Sequence, residues 1–332
     1  MYNFAKQSDD QLRIIFRNTA QKMGLHESIV EKDFWVCLTL DYLFHQCKWK
    51  DAFIFKGGTS LSKCYDLIHR FSEDIDLILD WRVLDYGINE PWEERSNTKQ
   101  DAFNKEANQR AEVFLAEILL PTLKDDMSEV IGKPADLYIL PEDPQTICFK
   151  YPRIFETSSI LQVIRLEIGA LAAWTPAREK TVSAYVAECY PKVFSQTGSQ
   201  VLTAASERTF WEKATILHHE ANRPEALPMP DRYSRHYYDL YCIAHSESKE
   251  DAFSQLDLLR RVVEFKMKFY PRKWAHYEDA KPGTLKLVPP SYRMEALKQD
   301  YASMQNMMFG ETPDFDELME YIKKLEAEIN SL

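Results

Sequence analysis

Asp74 and Asp76 stand one residue apart near the end of the stretch FKGGTSLSKCYDLIHRFSEDIDLIL, residues 55–79. Side chains two apart on a strand point to the same face. The segment DIDLIL therefore presents two carboxylates together, while Ile75, Leu77 and Leu79 face a core. Adjacent carboxylates repel and raise each other's proton affinity. A divalent cation between them relieves that cost, and hard oxygen ligands suit Mg²⁺ or Mn²⁺, which also bind nucleotide phosphates. Upstream, Gly57 and Gly58 let the backbone approach a ligand with no Cβ in the way. Thr59 and Ser60 then open a helix, whose free N–H groups and positive dipole end favour phosphate. A phosphate cradle beside a metal is the layout that nucleotidyl transfer needs.

Several elements must position these groups. AFIF (52–55) reads as a short strand, and the spacing predicts a helix over 59–69 with Leu61, Cys64, Tyr65 and Ile68 on one face. Upstream, residues 9–47 read as two helices, the first closed by Gly24. Residues 81–100 read as loop, and 101–126 as helix with a bend or break at Pro121. DLYIL, TICFKYP and SILQVIRLEIGAL read as strands. In the last, Ile164, Leu166 and Ile168 share one face, and Arg165 and Glu167 share the other. After about residue 205 the segments are helix-like with little strand signal. The expectation is an α+β chain with two domains: 1–205, a mixed sheet flanked by helices, and 206–332, helical.

The chain has 332 residues and a net charge of −11. That argues against general coating of nucleic acid but not against one local basic patch. RRVVEFKMKFYPRKW (260–274) is such a patch, with aromatics interleaved. It reads either as a grip on RNA phosphates or as a solvated basic helix face. No apolar run reaches the ~20 residues that span a bilayer, and the N-terminus lacks a signal-peptide core. The six cysteines form no CxxC pair, which fits reduced thiols in the cytoplasm. His218, His219 and Glu220 lack the spacing of a zinc motif.

KGGTSLSK followed by RFSEDIDL resembles the signature of the DNA polymerase β-type nucleotidyltransferase superfamily, and more narrowly the AbiEii/AbiGii toxin family of bacterial abortive-infection and toxin–antitoxin systems. The resemblance implies a nucleotidyltransferase fold and a nucleotide site that also takes in Lys63, Arg70 and Ser72. It implies a third acidic ligand late on a neighbouring strand. Glu167 is the best candidate, with Glu156 and Asp136 behind it; the other reading pairs Glu167 with Arg165 as an ion pair. It further implies a nucleotide-binding lysine and a following aspartate, here Lys213 in ERTFWEKATIL and Asp239 in SRHYYDLY. Asp239 would orient Lys213 or act as a base. The family often has Arg-Asp where this chain has Arg235-His236. Glu31, Lys32 and Asp33 in IVEKDFWV also resemble the family and read as structural braces.

The resulting expectation is a cytoplasmic bacterial nucleotidyltransferase with Asp74, Asp76, Glu167, Lys213 and Asp239 as catalytic residues. Mg²⁺ or Mn²⁺ would be held by the first three, and an NTP by Gly57, Gly58, Thr59, Ser60, Lys63, Arg70, Ser72 and Lys213. The resemblance implies an RNA acceptor, with the tRNA 3′ end leading, and a separately encoded antitoxin, often a winged-helix regulator. Two rivals stand beside it. One is a non-catalytic nucleotide- or partner-binding module on the same fold. The other is transfer to a small molecule.

Overall fold

A computed structural model of the chain describes residues 1–72, 74–157, 160–171 and 176–332. The backbone forms two compact units. The first takes in Met1–Cys64, Ala177–Thr203 and the described residues between 72 and 171. The second takes in Tyr65–Phe71, Pro176 and Ala204–Leu332. Among the described residues no helix is long and apolar enough to cross a membrane.

The first unit is built on a seven-stranded mixed sheet. Its strands are β1 (Phe53–Lys56), β2 (Ile75–Leu79), β3 (Asp136–Leu140), β4 (Asp143–Lys150), β5 (Ile164–Gly169), β6 (Ala177–Ser183) and β7 (Gly198–Ala204), in the order β3-β4-β5-β2-β1-β7-β6. β1 runs antiparallel to β2, while β2 runs parallel to β5. The flanking helices are α1 (Tyr2–Ala5), α2 (Asp9–Met23), α3 (Glu27–His45), α4 (Gly57–Lys63), α5 (Asn97–Phe114), α6 (Leu120–Ile131) and α7 (Tyr185–Cys189). A capping box of Ser8 and Gln11, not read from the sequence, starts α2, and Gly24 ends it at φ +67° as expected. From Val30 to Leu40, α3 is buried on every side. Its charged residues there must find partners. Glu31 accepts the N–H groups of Ile154 and Phe155, and Lys32 donates to the Leu161 carbonyl.

The second unit packs α9 (Ser234–Ala244), α10 (Ser248–Phe253) and α11 (Leu256–Phe269) around α8 (Ser206–Ala221). α12 (Ser291–Met304) and α13 (Phe315–Asn330) pack against α9.

Four differences from the sequence reading stand out, the first three with a physical cause. The helix expected over 59–69 ends at Lys63. Residues 65–71 instead run through the second unit, where Phe71 N–H donates to the Met307 carbonyl and Phe309 N–H to that of His69. Long-range backbone pairing, with burial of Ile68, overrides the helical spacing. Pro121 does not break its helix: a π turn over Leu115–Leu119 precedes it, widening the backbone where proline lacks an N–H and crowds the carbonyl four residues back. β6 and β7 carry no clear alternation, and β6 is an exposed edge strand. The strand anticipated from 159 begins at Ile164; Ser159 lies outside the described residues.

Candidate active site

Within the first unit the acidic residues fall on adjoining strands. Asp76 sits opposite Lys56 of β1 on one side and opposite Glu167 of β5 on the other. Burial along β2 alternates at its start, with Ile75 and Leu77 inside and Asp76 half-buried between them. Asp74, just before the strand, is also half-buried. Burial raises the proton affinity of Glu167, and the charges of Asp76 and Asp74 raise it further, against the pull of Arg165. Three carboxylates thus share one sheet face.

Gly57 is fixed by this arrangement twice over. Its φ is +82°, and a Cβ there would lie 1.9 Å from Asp76 Oδ2. Only glycine lets the strand-to-helix turn pass beneath the Asp76 carboxylate. Gly58, Thr59 and Ser60 are buried in the first turn of α4, which has no side-chain cap. The Thr59 hydroxyl lies 2.6 Å from the Asp74 carbonyl and 3.0 Å from Ser72 Oγ. The Ser60 hydroxyl donates to the Gly57 carbonyl at 2.8 Å. The Thr59 hydroxyl ties α4 to the approach of β2, and the Ser60 hydroxyl braces the first turn of α4 on itself.

Other side chains take positions that spacing alone does not reveal. Lys63 is half-buried, with its ammonium 2.6 Å from Asp33 Oδ1 and 3.9 Å from the Tyr185 ring centroid. Asp33 also accepts the Tyr185 N–H at 2.7 Å. Lys63 therefore braces the far end of α4. Arg165 bridges Glu167 at 3.1 Å and Asp143 at 2.8 Å. The ion pair read for Glu167 is present, and the register also sets Glu167 beside Asp76. Asp143 escaped sequence reading because it reaches Arg165 only across the β4–β5 pairing. Glu156 and Asp136 are exposed and pair with Arg153 and Lys150.

A second cluster lies within the second unit. Asp239 accepts both Nε and Nη2 of Arg70, at 2.7 and 2.9 Å, and Lys213 Nζ at 2.7 Å. All three residues are buried. Burial alone would push the Asp239 carboxyl up, but Arg70 and Lys213 overcome it and hold the group well below the usual range. Burial lowers the proton affinity of Lys213, and Asp239 opposes that while Arg70 adds to it. His236 Nδ1 lies 3.1 Å from Lys213 Nζ. Burial and the Lys213 charge keep this imidazole neutral, so it accepts from the ammonium. The histidine that departs from the family pattern is thus a partner of the lysine. Asp239 is placed to hold the two cations.

The donor set of Asp74, Asp76 and Glu167 fits a hard divalent cation: three carboxylates from neighbouring strands, no soft ligand, and like charges that a dication would relieve. Their oxygens do not all lie within 4.8 Å of one another; among the described residues only His276, Glu278 and Asp279 do so, on an exposed turn. Arg165 draws Glu167 towards itself. His218 uses both ring nitrogens, on the His276 carbonyl and the Lys286 N–H, and Glu220 pairs with Arg223.

A search of the curated proteins gave no match. Among solved structures, the chain is similar to MenT4, a nucleotidyltransferase toxin from Mycobacterium tuberculosis H37Rv, with a TM-score of 0.53 and 16% identity over 96% of this chain and 90% of that one. At that identity the likeness shows the fold. The family model described as nucleotidyl transferase AbiEii toxin, type IV TA system, matches residues 41–321. That span includes the Gly-Gly turn, the Asp pair, Glu167, Lys213 and Asp239. The chain is a nucleotidyltransferase, and it belongs to the AbiEii toxin family.

Proposed function

We propose that the protein moves an NMP from an NTP to a hydroxyl of RNA, with the tRNA 3′ end as the leading acceptor, and that it does so in the bacterial cytoplasm opposite a separately encoded antitoxin. The observation that carries the reading is the register of Asp76 beside Glu167, with Asp74 on the same face and Gly57 packed beneath the Asp76 carboxylate. Asp74, Asp76 and Glu167 would hold Mg²⁺ or Mn²⁺, which when bound supplies charge neutralisation at the α-phosphate. The backbone of Gly57–Ser60 cradles phosphate oxygens, and Ser72 keeps α4 in place. Lys213 donates to the nucleotide, and Asp239 and Arg70 hold it in position. The acceptor oxygen bonds to the α-phosphorus as the bond to pyrophosphate breaks, and the hydroxyl proton leaves to solvent or a carboxylate.

The test is incubation with each α-labelled NTP, Mg²⁺ and total RNA. Wild type should label RNA, and the Asp74→Ala/Asp76→Ala double variant should not while keeping its thermal midpoint. Equal labelling by the two would overturn the site. Metal-independent NTP binding without pyrophosphate release would favour a non-catalytic module. Transfer to a small acceptor but not to RNA would favour the other rival.

A further inference from the structure

The basic stretch that the site leaves unused has a definite shape. α11 buries Leu258, Leu259, Val262, Phe265 and Phe269, so its remaining face is turned to solvent. Residues 260–274 carry six basic side chains and one acidic, in a chain of net charge −11. The acidic one, Glu264, is taken by Arg260, which also pairs with Asp257. Towards the C-terminal end the sign is uniform: Lys266 and Lys268, then exposed Arg272 and Lys273 on the following turn. The helix dipole accounts for cations in the last turn of α11, but not for Arg272 and Lys273 beyond it. Arg223 joins from the end of α8, its guanidinium 5.1 Å from the Trp274 ring centroid. Glu220 and Glu278 lie close by, but pair with Arg223 and His276. Tyr270 and Met267 stand exposed among the cations.

An ordinary solvated helix face mixes both signs in pairs three or four residues apart. Here the mixing runs as far as Lys268, four residues after Glu264, and stops there. The rest concentrates like charges at a cost that a polyanion would repay, beside an exposed ring able to stack on a base.

We propose that the exposed face of α11 and the turn after it, with Arg261, Lys268, Tyr270, Arg272 and Lys273, is the surface on which the phosphodiester backbone of the acceptor RNA docks. The assignment rests on the RNA-acceptor reading above. It needs no base-specific contact and takes single-stranded or folded RNA.

The test measures fluorescence anisotropy of labelled bulk tRNA with full-length Arg261→Glu/Lys268→Glu and Arg272→Glu/Lys273→Glu variants. The control is Lys298→Glu/Lys324→Glu, which makes the same change in net charge on exposed positions of the same unit. Each patch variant should bind at least about tenfold more weakly at moderate salt, and the slope of log Kd against log[salt] should fall by about 0.7–0.9 per lost contact. The control should bind like wild type. Patch variants with wild-type affinity and slope, or a control that loses as much, would overturn the proposal. So would binding to phosphatidylserine vesicles in place of RNA. The two readings fail separately. Labelling of RNA at wild-type rates by the patch variants sinks only the docking surface. Patch-dependent binding without labelling sinks only the transfer.

Discussion

Gly57 and Asp76 act as a single feature. The glycine has a positive φ and leaves room for a carboxylate that would otherwise meet a Cβ at 1.9 Å. Gly57→Ala should displace Asp76 by about an ångström, which typically costs on the order of a hundredfold in turnover. The left-handed backbone adds about 1–2 kcal/mol of destabilisation. Steady-state kinetics beside urea unfolding separate the two effects, and wild-type turnover would show that Asp76 needs no such seat. Asp239 makes a different prediction. It neutralises two buried cations, and removing one partner of a buried ion pair costs about 3–5 kcal/mol. Asp239→Asn should lower unfolding free energy by that order. A loss below about 1 kcal/mol would mean that Arg70 and Lys213 find other partners.

Among the elements, α8 presents its two histidines to different surroundings. Burial, with Arg223, Lys266 and Arg272 close by, pushes His219 down to about 4, and its ring lies 4.3 Å from that of Trp274 and 6.0 Å from that of Tyr277. A depressed imidazole contributes stability that is present above the unfolded value of about 6.5 and is lost as pH falls towards 4. Glu31 works in the opposite sense, because burial raises it to about 7 and its contribution is lost as pH rises through that value. The comparison of His219→Asn with wild type isolates the first effect. The gap between their urea midpoints should narrow from pH 7 to pH 4.5, and a constant gap would remove His219 as the cause.

Legibility in the sequence followed the range of the interactions. The Gly-Gly turn, β2 and the capped α2 rest on contacts within a few residues, and all three were readable. The Lys63–Asp33 and Arg165–Asp143 pairs span 30 and 22 residues, and nothing in local spacing marks them. Residues 65–71 misled for the same reason. Their apolar spacing is helical, but their backbone pairs with 307–309. β7 gives no strand signal although it lies beside β1, with Thr203 opposite Phe55: burial alternates along it, but Ser199 and Thr203 fill buried positions while Leu202 takes a half-buried one, so apolar and polar types do not alternate.

For the molecule as a whole, net charge and charge placement say different things. A total of −11 keeps nucleic acid away from most of the surface. Arg70, Lys213 and Lys63 are largely enclosed and paired with carboxylates, whereas α11 and the turn after it gather exposed cations. The proposed nucleotide chemistry and the proposed docking face are therefore served by different basic residues, so patch variants should lower RNA labelling while the Arg70–Asp239–Lys213 cluster stays in place.

The course of residues 65–71 has a topological consequence. The chain leaves the first unit after Cys64, adds a partly buried segment to the second, returns at Ser72, touches the second unit again at Pro176, and leaves the first for the last time after Thr203. A single nick between 203 and 204 would therefore set neither part free, since the earlier crossing still ties them. The tie runs between the Gly-Gly turn and the Asp strand, so any rearrangement that pulls Arg70 from Asp239 would tug on both of them through covalent bonds alone.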